Sequence, residues 1–244
     1  AWRCATACSK TVSPPRTDTT DPEPLPFMSS TFHPDCARCA RLVEFRAQSR
    51  VDHPGYFGRA VPSFGPEAPP LLIVGLAPGM HGANATGRPF TGDYAGILLY
   101  QTLFDLGLAS APVSEAADDG LELIDCRITN AVRCVPPQNK PVGEEINNCR
   151  PYLVEELDAV RSGGVLLALG KIAHDQVIRA LGLRVAAHKF AHAAEHALPG
   201  GLTLVDSYHC SRYNTNTRRL TAEMFESVMR RARDLARAGT DSRH

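Results

Sequence analysis

Short apolar runs and amphipathic stretches alternate along this chain of 244 residues, and that alternation constrains its fold more than any other feature. "LLIV" (71 to 74) reads as a buried strand, and "AGILLYQTLFDLGL" (95 to 108) as the helix that follows it across a glycine-rich loop. "LIDCRITNAV" (123 to 132) is a second strand or extended segment, followed by a helix over "GEEINNCRPYLVEELDAV" (143 to 160) with acids at its start. "GGVLLALG" is a strand with a glycine exit into the helix "KIAHDQVIRALG". "GLTLVDSYH" is a fourth strand, and "LTAEMFESVMRRARDLARAG" a closing amphipathic helix. Strands that alternate with helices predict a parallel α/β sheet, in which ligands bind beyond the carboxyl ends of the strands.

The hydrophobic content of 43% supports one substantial core, so a single domain over residues 31–240 is expected. Residues 1–30, rich in Pro, Thr and Asp, read as a flexible N-terminal arm. Lys and Arg number 26 against 26 Asp and Glu, so bulk charge argues neither for nor against nucleic acid. No run reaches the length of a membrane span and "AWRCATACSK" lacks the apolar core of a secretory signal, which gives a cytoplasmic expectation. Eight cysteines in a reducing compartment point to metal or catalysis ahead of disulfides.

The connection "GLAPGMHGANATGRPFTGDYAG" (75 to 96) holds six glycines and two prolines. A tight strand-to-helix turn explains some of them. It is neither a P-loop nor a dinucleotide fingerprint, since G-x-x-x-x-G-K-[ST] and G-x-G-x-x-G are absent. It gathers Asn84, Arg88, Phe90 and Asp93 into ten positions, a set suited to a planar polar ligand attached to phosphate.

This loop resembles the first motif of the family 5, or type B, uracil-DNA glycosylases. "YHCSRYNTNTRRLT" (208 to 221) is similar to their second signature, HPS-x-x-N, and "TNAVRCVPPQNKP" (129 to 141) to the stretch between them. The likeness runs in order from about Cys36 to Leu220, with Cys210 where Pro is typical and Arg218 where Gly is typical. It implies a three-layer α/β/α fold with a four-stranded parallel central sheet. It also implies a 4Fe-4S cluster, and a partner that is double-stranded DNA carrying a flipped-out base; a monomer is expected. Cys36-x2-Cys39, then Cys134-x14-Cys149 after 94 residues, resembles the cluster pattern of families 4 and 5. Four thiolates suit zinc or iron-sulfur, and the resemblance favours iron-sulfur. Cys4, Cys8, Cys126 and Cys210 are left over, with Cys126 the main rival ligand.

The resemblance makes Phe90 the stacking face for the base; Ala77, Gly79 and His81 of the same loop are further candidates for base binding, His81 reading equally as a satisfied loop histidine. Asn130 reads the base edge, because an amide pairs with the donor and acceptor of uracil, and equally of hypoxanthine. Asp93 orients water and stabilises the sugar cation, and His209 donates to the departing base. Asn84, Arg88, Ser211, Arg212 and Asn214 are the expected DNA contacts, with Arg218 and Arg219 as further phosphate holders. The expected reaction removes uracil and other deaminated or damaged bases (hypoxanthine, xanthine, etheno-cytosine) and leaves an abasic site. The rivals are a uracil-restricted family 4 type enzyme, a catalytically silent iron-sulfur DNA-binding protein and a zinc-stabilised nucleotide hydrolase.

Overall fold

The computed structural model describes Ala1 and residues 32–241, the last two by backbone alone. The arm expected over residues 1–30, with Cys4 and Cys8, therefore lies outside the described residues save Ala1. In chain order the elements are α1 (Ala40–Asp52), β1 (Leu71–Gly75), α2 (Ala83–Thr86), α3 (Tyr94–Asp105), β2 (Cys126–Asn130), α4 (Gly143–Asp158), β3 (Val165–Leu169) and α5 (Lys171–Ala180). They continue with β4 (Glu195–Ala197), β5 (Thr203–Ser207), α6 (Arg212–Asn216) and α7 (Ala222–Asp241).

The sheet has the order β2-β1-β3-β5-β4. Its first four strands are parallel and β4 runs antiparallel to β5. The expected four parallel strands are present, and the strand count is corrected to five by this three-residue edge. Glu195-His196-Ala197 carries no β-branched or aromatic residue, and so no strand signal in sequence. No helix among the described residues is long and apolar enough to cross a membrane.

Both faces of the sheet are covered, as period-two side-chain alternation requires. Leu71, Ile73, Ile128, Leu167 and Val205 pack with Leu99, Leu103, Phe225 and Met229 of α3 and α7. The intervening Leu72, Val74, Leu166, Ala168 and Leu204 pack with Leu153, Leu157, Val177 and Ile178 of α4 and α5. A third, smaller cluster lies at one side: Leu42, Ala60, Val132, Cys134, Cys149 and Tyr152, with Cys36 and Cys39 against it.

Helix α1 has no counterpart in the sequence reading. Its buried face is Leu42, Arg46 and Ser49, correct in spacing but two-thirds polar. Arg46 turns inward because its guanidinium donates to the carbonyl oxygens of Pro34 (3.1 Å) and Cys36 (2.6 Å), which fixes the loop that carries the first cysteine pair.

Candidate active site

The sheet register places Gly75 opposite Asn130 and Leu169 opposite Ser207, so four strands end at one rim. Strand order reverses there, on either side of β1, and a cavity of about 600 Å³ opens. Its walls come from the loops after β1, β2 and β5. Asp93, Asn130 and His209 all line it, as do Phe90, Ala77, Gly79 and His81. Residues spread over more than a hundred positions thus share one chamber.

The glycine-rich loop is built around these side chains. A Cβ on Gly75 would lie 2.3 Å from Asn130 Oδ1 and 2.7 Å from Phe90 Cζ, and one on Gly82 would lie 2.7 Å from Asp93 Cβ. A Cβ on Gly96 would reach 1.7 Å from the Phe90 carbonyl oxygen. At Gly75, Gly82 and Gly96 a side chain is excluded because Asn130, Phe90 and Asp93 press against the backbone there. Phe90 itself holds φ 57°, a left-handed conformation rare for a bulky residue and costing about 1–3 kcal/mol.

Asn130 ends β2 and is buried, and its Oδ1 has no hydrogen-bond partner. An orphaned buried acceptor costs about 1–3 kcal/mol unless a ligand satisfies it. Asp93 is the N-cap of α3: Oδ1 accepts from the Gly96 amide at 2.9 Å, while Oδ2 lies on the Gly79 and Gly82 side. Burial raises its carboxyl above the usual range, opposed by the backbone amides of Gly96 and Ala95. The His209 ring lies 5.9 Å from that of Phe90, tilted 30°. Burial pushes its pKa down to about 4, so the imidazole is neutral at pH 7 and donates from one nitrogen.

The expected DNA contacts divide. Arg212 is exposed on the cavity wall, its guanidinium over the Tyr94 ring at 5.0 Å, and Ser211 is beside it. Ser211 also caps α6, accepting from the Asn214 amide, and Asn214 Nδ2 donates to the His209 carbonyl oxygen at 2.8 Å. Asn214 therefore holds the His209 loop in place. Asn84 and Arg88 are corrected, since both are buried. Asn84 donates to Ser49 Oγ (3.0 Å), and Arg88 pairs with Asp119 (2.6 Å) while donating to Ser114 and the Ala117 carbonyl. A guanidinium so occupied ties the 114–119 segment to the glycine-rich loop and presents nothing to phosphate. Arg218 and Arg219 are exposed, as is Tyr213 (72%) beside Arg212, which the sequence reading passed over. Tyr56 was also missed; its hydroxyl lies 2.9 Å from His81 Nδ1.

Cys36, Cys39, Cys134 and Cys149 line one small cavity with Arg46 and Tyr152. The Arg133 amide donates to Cys149 Sγ at 3.3 Å, and Asn148 Nδ2 to Cys39 Sγ at 3.6 Å. Burial pushes the Cys134 thiol up to about 12 and Cys149 to about 11. Cys126 is excluded from the set: it belongs to the α3–α7 core, with Sγ 3.4 Å from the Leu108 carbonyl oxygen. Cys210 is likewise fully buried in that core, an apolar filler where Pro was expected.

The profile of the uracil DNA glycosylase superfamily matches residues 62–233. A type-5 uracil-DNA glycosylase of Thermus thermophilus is 46% identical over 206 residues, covering 82% of this chain and 94% of that protein. One from Pyrobaculum aerophilum is 45% identical over 202 residues, 81% of this chain and 88% of its own length. A type-4 uracil-DNA glycosylase of Archaeoglobus fulgidus matches less of the chain, 37% identity over 114 residues, 46% of this chain and 49% of that one. With the shared profile spanning the sheet and the cavity, and with type-5 relatives matched over nearly their full length, the chain belongs to the type-5 branch of the uracil-DNA glycosylase superfamily.

Proposed function

We propose that this chain is a monofunctional glycosylase that hydrolyses the N-glycosidic bond of uracil in duplex DNA, acting as a monomer on a base flipped into the 600 Å³ cavity. The observation that carries the reading is the unpartnered, buried Oδ1 of Asn130 beside Phe90. Uracil N3–H satisfies that acceptor and uracil O4 accepts from Nδ2, with the ring against Phe90. Cytosine and adenine present the reverse order and leave the amide unpaired, which rejects them. Hypoxanthine and xanthine offer the same donor and acceptor pair, so deaminated purines belong to the proposed substrates, with etheno-cytosine a further one.

As the C1′–N1 bond breaks, its electron pair goes to the base and positive charge develops on the sugar. The ionised Asp93 stabilises that cation and orients the water, accepting its proton as the new C1′–O bond forms. Neutral His209 donates to O2 of the departing base. Arg212, Arg218 and Arg219, all exposed, hold phosphates, and the exposure of Tyr213 beside Arg212 supports a role in filling the gap that the flipped base leaves.

The four cysteines line one cavity and offer a four-thiolate donor set, and the likeness of their spacing to the cluster pattern of families 4 and 5 favours a 4Fe-4S cluster over one zinc ion. Cys36, Cys39, Cys134 and Cys149 would hold the cluster, which supplies a structural tie and takes no part in a hydrolysis that transfers no electrons.

The test is release of free base from duplexes carrying uracil, hypoxanthine, xanthine or etheno-cytosine in turn. Uracil release with an abasic product is expected. Binding without release would make the chain a silent DNA-binding protein, and phosphate release from nucleotides would make it a hydrolase of another class.

A further inference from the structure

Three side chains converge on the sheet face covered by α5, outside the active-site lining: His174 of α5, His196 of β4 and Asp206 of β5. Their ligand atoms all lie within 4.8 Å of one another. His174 Nδ1 is 2.7 Å from Asp206 Oδ1, and His196 Nε2 is 3.1 Å from Asp206 Oδ2. The His174 and Asp206 side chains are fully buried, and that of His196 is 14% exposed.

The other nitrogen of His174, Nε2, lies 2.8 Å from the carbonyl oxygen of His188 and donates to it. An imidazole whose second N–H is held by a carbonyl has its remaining nitrogen fixed in direction, as metal-bound histidines do. Phe190 packs edge-on against the same ring at 5.6 Å, closing the site with an apolar wall. Both nitrogens of His174 thus face oxygen acceptors. A divalent ion in place of the proton between Nδ1 and Asp206 would take up the Nδ1 lone pair.

We propose that His174, His196 and Asp206 form a mononuclear site for a borderline divalent transition metal of the zinc type, separate from the four-cysteine cavity. Two imidazoles and one carboxylate suit zinc or cobalt and disfavour magnesium and calcium, which take oxygen donors. His196 is the partly exposed member of the set, and its ring lies 5.8 Å from that of His188. The site pins a three-residue edge strand to α5 and to β5, and Asp206 precedes His209 by three residues. Its role is to clamp the end of β5 from which the His209 loop departs.

The experiment titrates full-length protein, with its cysteine site loaded as purified, with Co²⁺ and then Zn²⁺. One equivalent of Co²⁺ should bind with visible ligand-field bands and without thiolate-to-cobalt charge transfer, Zn²⁺ should displace it, and Zn²⁺ should raise Tm. His196→Ala, on the sheet edge, should weaken Co²⁺ binding about tenfold or more. Absence of a stoichiometric Co²⁺ site in the parent overturns the proposal, as do thiolate bands in place of nitrogen and oxygen ligation or equal affinity in a folded His196→Ala variant. The parent's stoichiometry and spectrum decide even where the variant fails to fold. None of these readouts depends on glycosylase activity.

Discussion

Asp93 and His209 share one chamber but are tuned in opposite directions, and burial is the cause for both. Burial raises the Asp93 carboxyl and pushes His209 down to about 4. A base must be ionised to orient water, so the single-turnover rate should rise with pH through a value above the ordinary carboxylate range and then level off. No step is expected near pH 6.5, because His209 is already neutral there. A protonic step at that pH would show that the imidazole titrates in solvent and is not the buried donor. Asp93→Asn keeps the shape and removes the charge, and should lower the single-turnover rate on uracil DNA by about two orders of magnitude or more while duplex binding survives. Arg218 adds a stability prediction at this scale. It holds φ 54°, the left-handed region that glycine tolerates, which gives a physical reason for the glycine typical of the resembled motif. Arg218→Gly should raise the unfolding free energy by about 0.5–1 kcal/mol, read from denaturant midpoints.

Elements whose sequence pattern matched their packing were legible, and those whose packing is polar were not. Leu71 to Val74 alternate between two cores and so read as a strand, and α7 turns Phe225, Met229 and Ala232 inward at helical spacing. α1 escaped notice because Arg46 and Ser49 occupy its buried face, and β4 because Glu-His-Ala pairs only through its backbone. The site behaved alike. Asp93, Asn130 and His209, which motif likeness picks out, line one cavity, whereas the inward turn of Arg88 toward Asp119 depends on a loop some thirty residues away and has no local signal. The glycines were legible as a loop but not in purpose, since only the folded chain shows what crowds them. Gly75→Ala puts a methyl into Asn130 and Phe90, and should cost about 1–3 kcal/mol of stability together with most of the activity. Gly143→Ala, in the first turn of α4 with nothing within 4 Å of its Cβ, should stabilise by about 0.5–1 kcal/mol and leave activity unchanged. Equal effects of the two changes would show that the clash at Gly75 is relieved by backbone movement.

The four cysteines join parts of the chain that the sheet alone leaves loosely connected: the segment before α1, the loop after β2, and α4. That loop matters most, because Asn130 lies only four residues before Cys134. Between them the Ala131 amide donates to the Gly75 carbonyl and the Val132 amide to the Leu76 carbonyl, so the loop is stitched to the glycine-rich segment on one side. On the other side the Arg133 amide donates to Cys149 Sγ. A cluster bound by Cys134 and Cys149 would therefore brace the strand end that carries Asn130, and its loss would loosen both. If iron occupies this site the protein should be yellow-brown, with broad absorbance near about 400 nm from thiolate-to-iron charge transfer. Cys149→Ser should abolish the colour, lower Tm by about 5–10 °C, the shift that a few kcal/mol produces in a chain of this size, and reduce uracil release. Cys126→Ser, whose sulfur lies in the other core, should keep the colour and lose only packing. A colourless parent that contains zinc would replace the proposed metal. A bleached protein that retained both Tm and rate would remove the brace between the cluster and Asn130, and leave the sheet register and the Ala131 and Val132 hydrogen bonds to position the amide.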